Sequence, residues 1–240
     1  MHSFPSIHEL RAYNKAAADA HGDLLAFSQD DRLPPPSSDW VDAIIGIFRV
    51  VPATFAALGL YRGHQSTRGG RHVFRDLGTC FDQSPKLIPT YLFPKVSVAM
   101  VMVLMMGPII VRAKAFRLLG GFNETYSLRG WPGVHGDKEF TARLWHHGLQ
   151  AGVACASSLT LFPNGCGGKG SLANTRTLRA RQKLIRRNQA LLSAQFTHHE
   201  GSIQSKVLKA QAELEANRSL VKRLRKLLPH CFPCNKPRAK

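Results

Sequence analysis

The chain has 240 residues, 44% of them hydrophobic and 20% charged, with 33 Lys and Arg against 15 Asp and Glu for a formal net charge of +18. That share of apolar side chains is enough to bury a core, which excludes a wholly disordered polyelectrolyte, and the length fits one domain with an appendage. Five cysteines, an odd number dispersed over this length, exclude a disulfide-stapled scaffold and leave reduced thiols as the expectation.

The opening MHSFPSIHELRAYNK lacks a basic start followed by an apolar stretch, so no secretory leader is expected. Leu10, Tyr13, Ala17 and Ala18 recur at helical spacing, and Gly22 follows where a helix C-terminus favours glycine, which predicts a helix over 7–20. Leu24 to Phe27 is a short apolar run leading into SQDDRLPPPSSDW, the pattern of a buried strand that ends in a rigid acidic loop. A second helix is expected near Trp40, capped by Ser38 or Asp39, with Trp40, Ile44, Ile47 and Phe48 on its apolar face. The Gly-, Arg- and Pro-rich stretch from Tyr61 to Pro94 has weak periodicity and predicts loops and short strands.

Val96 to Val111 is an apolar run of sixteen residues interrupted by Gly107 and Pro108. It falls short of the roughly 20 residues of a membrane-spanning helix. A buried strand pair is the expectation, broken at the proline. A short helix over 113–119 should stop at Gly120 and Gly121. After a loop containing Trp131, DKEFTARLWHHG predicts a helix with Asp137 at its N-cap, Phe140, Leu144 and His147 on one face, and Gly148 at its end. Residues 151–161 read as a returning strand.

Composition then changes. Residues 171–240 hold sixteen Lys and Arg against three acids, leaving seventeen against twelve upstream. This shift divides the chain into a mixed α/β body, 1–170, and a basic helical extension, 171–240. In the extension, 175–196 is an amphipathic helix with Leu178, Leu184, Ile185, Leu191 and Leu192 on one side, expected to pack on the body. Val207, Ala210, Leu214, Asn217, Val221, Leu224 and Leu228 follow coiled-coil spacing. HCFPC at 230–234 is only half a zinc site, and the pairs His146/His147 and His198/His199 point apart as surface residues.

The order of the pieces is more specific than any one of them. NKAAADAHGDLLAFSQDDRLPP, GPIIVRAKAFRLLGGFNETY and GDKEFTARLWHHGLQAGV together resemble the second half of a family 2 glycosyltransferase of GT-A fold over residues 11–165. The resemblance implies a truncated GT-A-like mixed sheet flanked by helices, without the N-terminal β-α-β segment that binds the nucleotide. It implies a nucleotide-sugar donor, a carbohydrate or other hydroxyl acceptor, and a divalent ion, Mn2+ or Mg2+, to neutralise the departing diphosphate. By the same resemblance Asp31 binds the metal and Asp30 faces the ribose or a metal-bound water. Asp137 is the general base, with Glu139 the alternative register. Gly120, Gly121 and Phe122 form a turn beside donor sugar and acceptor, or equally a helix stop with a core Phe. Trp131 either stacks on a sugar ring or anchors its loop. A single base suits an inverting displacement. Two other readings stand beside this one. One is a catalytically inactive relative. The other is a basic binding protein in which the tail meets an anionic membrane surface or RNA, with nucleic acid disfavoured because the tail lacks interleaved aromatics.

Overall fold

The computed structural model describes residues 9–28, 34, 38–60, 66–68, 71–73, 88–89, 96–104, 106, 108–128, 131, 133–156 and 178–227. Asp30 and Asp31, the carboxylates assigned to metal and donor, lie outside the described residues, as does HCFPC. The elements in chain order are α1 (Glu9–Asp19), β1 (Leu24–Phe27), α2 (Asp39–Val50), β2 (Phe55–Leu60), β3 (Ser66–Arg68), β4 (Arg71–Val73), β5 (Ile88–Pro89), β6 (Val96–Met100), β7 (Ile109–Arg112), α3 (Ala113–Leu118), a 3-10 turn (Glu124–Tyr126), α4 (Gly136–His146), β8 (Gln150–Ala156), α5 (Leu178–Phe196) and α6 (Glu200–Leu227).

The architecture is mixed α/β. A sheet in the order β1-β7-β2-β8-β6-β5 is antiparallel throughout except for the β2–β8 pair, and β3–β4 form a separate two-stranded ladder. The apolar run does yield two strands, broken where Pro108 removes a ladder donor. They are not neighbours: β2 and β8 lie between β7 and β6. Register sets Phe27 opposite Ile109, Leu58 opposite Gly152 and Ala99 opposite Val153, which buries the sheet's centre under helices. Ser38 is the N-cap of α2 but makes no side-chain cap bond: at φ −81° and ψ −2° its backbone is already helical, whereas a capping side chain works from an extended backbone. Among the described residues no helix is long and apolar enough to cross a membrane.

The basic helices share the body's core. Ile203, Val207 and Ala210 are buried in the same cluster as the sheet residues, and Leu214 packs against it. Gln211 Oε1 accepts the amide of Met100 at 2.8 Å, and Lys206 Nζ donates to the Trp145 carbonyl at 3.0 Å. So Val207, Ala210 and Leu214, expected in a coiled coil, are spent on the sheet and α4. Steps of three and four specify one apolar helix face and not the kind of surface that covers it.

Candidate functional site

Three segments carry the residues singled out by the sequence: the end of β1, the turn after α3, and the loop that enters α4. Helix α1 joins them. Asn14 grips the chain at Phe122, accepting its amide at Oδ1 (2.8 Å) and donating from Nδ2 to its carbonyl (2.9 Å) and to Glu124 Oε1 (3.1 Å). Arg11 pairs with the other Glu124 oxygen at 2.7 Å. Glu9 Oε2 accepts the amide of Gly133 at 2.7 Å. The Tyr13 hydroxyl lies 3.4 Å from both Glu9 Oε1 and the Ser28 carbonyl, and shares its one proton between them. Ser28, directly after β1, and the loop before α4 are thereby tied to one helix face.

The glycine turn is built by steric necessity. Gly120 and Gly121 have φ of 73° and 78°, a region that costs other residues roughly 1–2 kcal/mol. A Cβ on Gly121 would also sit 2.6 Å from Asn14 Oδ1, whereas one on Gly120 would meet nothing within 4 Å. Of the two readings of this turn, beside donor sugar and acceptor or a helix stop with a core Phe, Phe122 takes the second: it is a core residue. Its ring is enclosed by Tyr13, Phe27, Phe116 and Phe140 at centroid distances of 6.0, 5.0, 5.2 and 4.9 Å and has no face for a ligand. The chain turns back at the two glycines and sends Phe122 inward, the helix-stop alternative. Gly120 is exposed and Gly121 buried.

Asp137 is not the N-cap of α4. The cap is His135, held in the left-handed conformation at φ 65°, and Asp137 belongs to the first turn. Its Oδ2 accepts the amide of Met106 at 3.0 Å and its Oδ1 that of Lys138 at 2.8 Å. One turn on, Thr141 Oγ1 accepts the amide of Leu104 at 3.1 Å and donates to the Asp137 carbonyl; another turn on, Trp145 Nε1 donates to the Val101 carbonyl at 3.0 Å. Positions 137, 141 and 145 share a helix face, and that face is zipped to Met106, Leu104 and Val101 in the chain beyond β6. Enclosure of the carboxylate outweighs its two amide donors, so the Asp137 pKa is raised above the ordinary carboxylate value.

Glu139, the alternative base, faces the other way. It is buried and chelated by Arg143, at 2.7 Å to Oε1 and 2.9 Å to Oε2. Arg143 also donates to the carbonyls of Leu119 and Gly121, which locks α4 to the glycine turn. Burial raises the Glu139 pKa and the guanidinium opposes this. Both oxygens are occupied by a fixed cation, a structural arrangement. On the far side of α4 from Asp137, a cavity of about 260 Å³ is lined by Glu139, Arg143, His146, Gln195, Phe196 and His199. The base candidate does not open into it. His147, expected on the Phe140–Leu144 face, is exposed.

Trp131 is partly exposed. Its amide donates to the Leu128 carbonyl at 2.8 Å and its carbonyl accepts the Ser127 hydroxyl at 2.9 Å. The loop that carries it is clamped at both ends by one side chain from α5: buried Asn188 donates from Nδ2 to the carbonyls of Tyr126 and Val134, each at 2.7 Å. Arg187 adds a bond to the Thr125 carbonyl, and Gln195 Oε1 accepts the Tyr126 hydroxyl at 2.9 Å. Glu9, Asn14 and Asn188 are the site residues that sequence reasoning missed. Asn188 alone left a trace there, as a polar residue four after Leu184 on an otherwise apolar face.

Among the described residues no three His, Cys, Asp or Glu side chains converge into a metal-binding group. Asp30 and Asp31, the carboxylates to which the resemblance assigns the ion, lie outside those residues. Comparison with known protein families, with curated proteins and with solved structures finds no match. The mixed α/β sheet flanked by helices is the class of architecture established for the chain; its resemblance to glycosyltransferases rests on the motifs themselves.

Proposed function

We propose that the chain is a glycosyltransferase-like protein that moves a sugar from a nucleotide donor to a hydroxyl acceptor, with inversion. One observation carries the reading: Glu9 and Tyr13 tie Ser28, one residue past β1, and Gly133, in the loop that leads into the helix of Asp137, to one face of α1. β1 runs directly toward Asp30 and Asp31 in sequence. In this reading Asp31 holds the divalent ion, Mn2+ or Mg2+, which supplies positive charge to the leaving diphosphate when bound. Asp137 takes the acceptor proton. Its raised pKa suits that role, since a base is most effective when its affinity for the proton approaches the working pH, and each of its oxygens keeps a lone pair beyond the one facing a backbone amide.

The test is turnover of a nucleotide sugar by the full chain with Mn2+. Asp137→Asn should lower kcat by about 10²- to 10⁴-fold with little change in donor KM, and Asp31→Ala should abolish metal dependence. Wild-type turnover in Asp137→Asn removes the base assignment. A second reading, an inactive relative that retains donor binding, is favoured by one feature: the Asp137 carboxylate already serves two backbone amides as a structural tie. Saturable nucleotide-sugar binding with no turnover in the wild-type chain selects it.

A further inference from the structure

Helix α5 holds Arg179, Arg181, Lys183, Arg186 and Arg187 and no acidic residue. Its inner face is fixed by buried Leu184 and Asn188. At about 100° per residue, Arg179, Lys183, Arg186 and Arg187 fall within an arc of roughly 100° on the outer side, over about 12 Å of helix. Arg179, Lys183 and Arg186 are exposed there. Like charges three and four residues apart repel one another along a helix, so this stripe stores unfavourable energy that a polyanionic surface would relieve. Arg187 marks the edge of the arc that meets the 3-10 turn, through its 2.9 Å bond to the Thr125 carbonyl. Three residues beyond Thr125 in the chain stands Leu128, an apolar side chain 42% exposed.

We infer that this outer face of α5 is a docking surface for an anionic lipid bilayer, with Arg179, Lys183 and Arg186 at the headgroups and Leu128 at the acyl boundary. Charge complementarity supplies the attraction, and the combination of basic residues with an exposed apolar residue is that of an interfacial contact. Single-stranded nucleic acid calls for aromatic side chains interleaved with the charges. The one aromatic residue of α5, Phe196, is packed against the core and not in the stripe. The surface is independent of any transferase activity, although Asn188 on the inner face of the same helix secures the Trp131 loop.

Co-sedimentation of the full chain with phosphatidylcholine vesicles, with and without about one-third phosphatidylserine, tests the assignment at about 0.15 M salt. Binding should require phosphatidylserine. Lys183→Ala/Arg186→Ala should weaken partitioning by about 25-fold, roughly five-fold per charge. Arg49→Ala/Lys114→Ala, which removes the same charge from exposed positions on α2 and α3, should change it less than about two-fold. Alanine suits exposed helix positions, so both variants should fold. Equal losses in the two variants would mean that net charge alone acts, and would overturn the surface. So would absence of binding to phosphatidylserine vesicles, or retained vesicle binding in Lys183→Ala/Arg186→Ala accompanied by lost binding to single-stranded polyuridine, which would assign the stripe to RNA.

Discussion

Replacing Asn188 should loosen one loop far more than the rest of the molecule. Its amide makes two 2.7 Å bonds to the carbonyls of Tyr126 and Val134, and its oxygen accepts from Arg187 Nη1 at 2.7 Å. Asn188→Ala removes the donor from two carbonyls, that of Tyr126 in a buried setting and that of Val134 in a part-buried one. Each orphaned group costs about 1–3 kcal/mol, and water reaching the loop from outside keeps the total at about 2–4 kcal/mol. With a urea slope of about 2–3 kcal/mol/M, the unfolding midpoint should fall by about 1–2 M. The location of the damage is the sharper test. Hydrogen exchange measured by mass spectrometry should show lost protection over 124–136 while β2 and β8 stay protected. Leu184→Ala, one turn earlier, should cost a comparable 2–5 kcal/mol through packing without singling out that loop. A midpoint shift below about 0.3 M together with unchanged exchange over 124–136 would refute the clamp.

The glycine pair after α3 should respond unequally. Gly120→Ala meets only the positive-φ penalty, about 1–2 kcal/mol, while Gly121→Ala adds the collision with Asn14 Oδ1 and should lower the thermal midpoint at least twice as far; equal shifts would mean that Asn14 does not hold the turn. His135 should impose a pH dependence. Burial, with help from the Lys138 charge, lowers its pKa from 6.5 to about 4, so the unfolded chain binds more protons between those values and stability rises with pH across that window. Discounted for its partial exposure, the effect is about 1–2 kcal/mol. Asp137 and Glu139, whose pKa values are raised, oppose it, because the folded state keeps their protons longer and loses stability as pH rises through the folded pKa. Urea midpoints from pH 4 to 7 should therefore rise less steeply in His135→Asn, a residue that tolerates the left-handed conformation. An unchanged slope would contradict the assignment.

Where glycine or proline punctuates an apolar run, the chain was readable. Gly120 and Gly121 end α3, Gly148 ends α4 at φ 72°, and Pro108 falls between β6 and β7 as a missing ladder donor requires. What could not be read is who pairs with whom. The insertion of β2 and β8 between β6 and β7 is a long-range choice without a local signature. Asp137 reads as a cap in the sequence because the residue that does cap the helix, His135, adopts a conformation rare for any residue with a Cβ. Phe122 illustrates a different difficulty: a turn beside a ligand and a turn onto the core use the same Gly-Gly-Phe, and only the ring contacts decide. Glu9 and Asn14 are polar residues on a helix, a pattern that solvent exposure explains equally well until the backbone groups they serve are located.

Gln211 and Lys206 carry a practical lesson about trading parts between proteins. They finish a hydrogen-bond ladder at Met100 and neutralise the carbonyl end of α4 at Trp145. Anyone shortening the gene before residue 200, or grafting the cationic helices elsewhere as a cassette, would strand those backbone groups. Solubility of such a fragment would then report on two missing side chains as much as on lost charge.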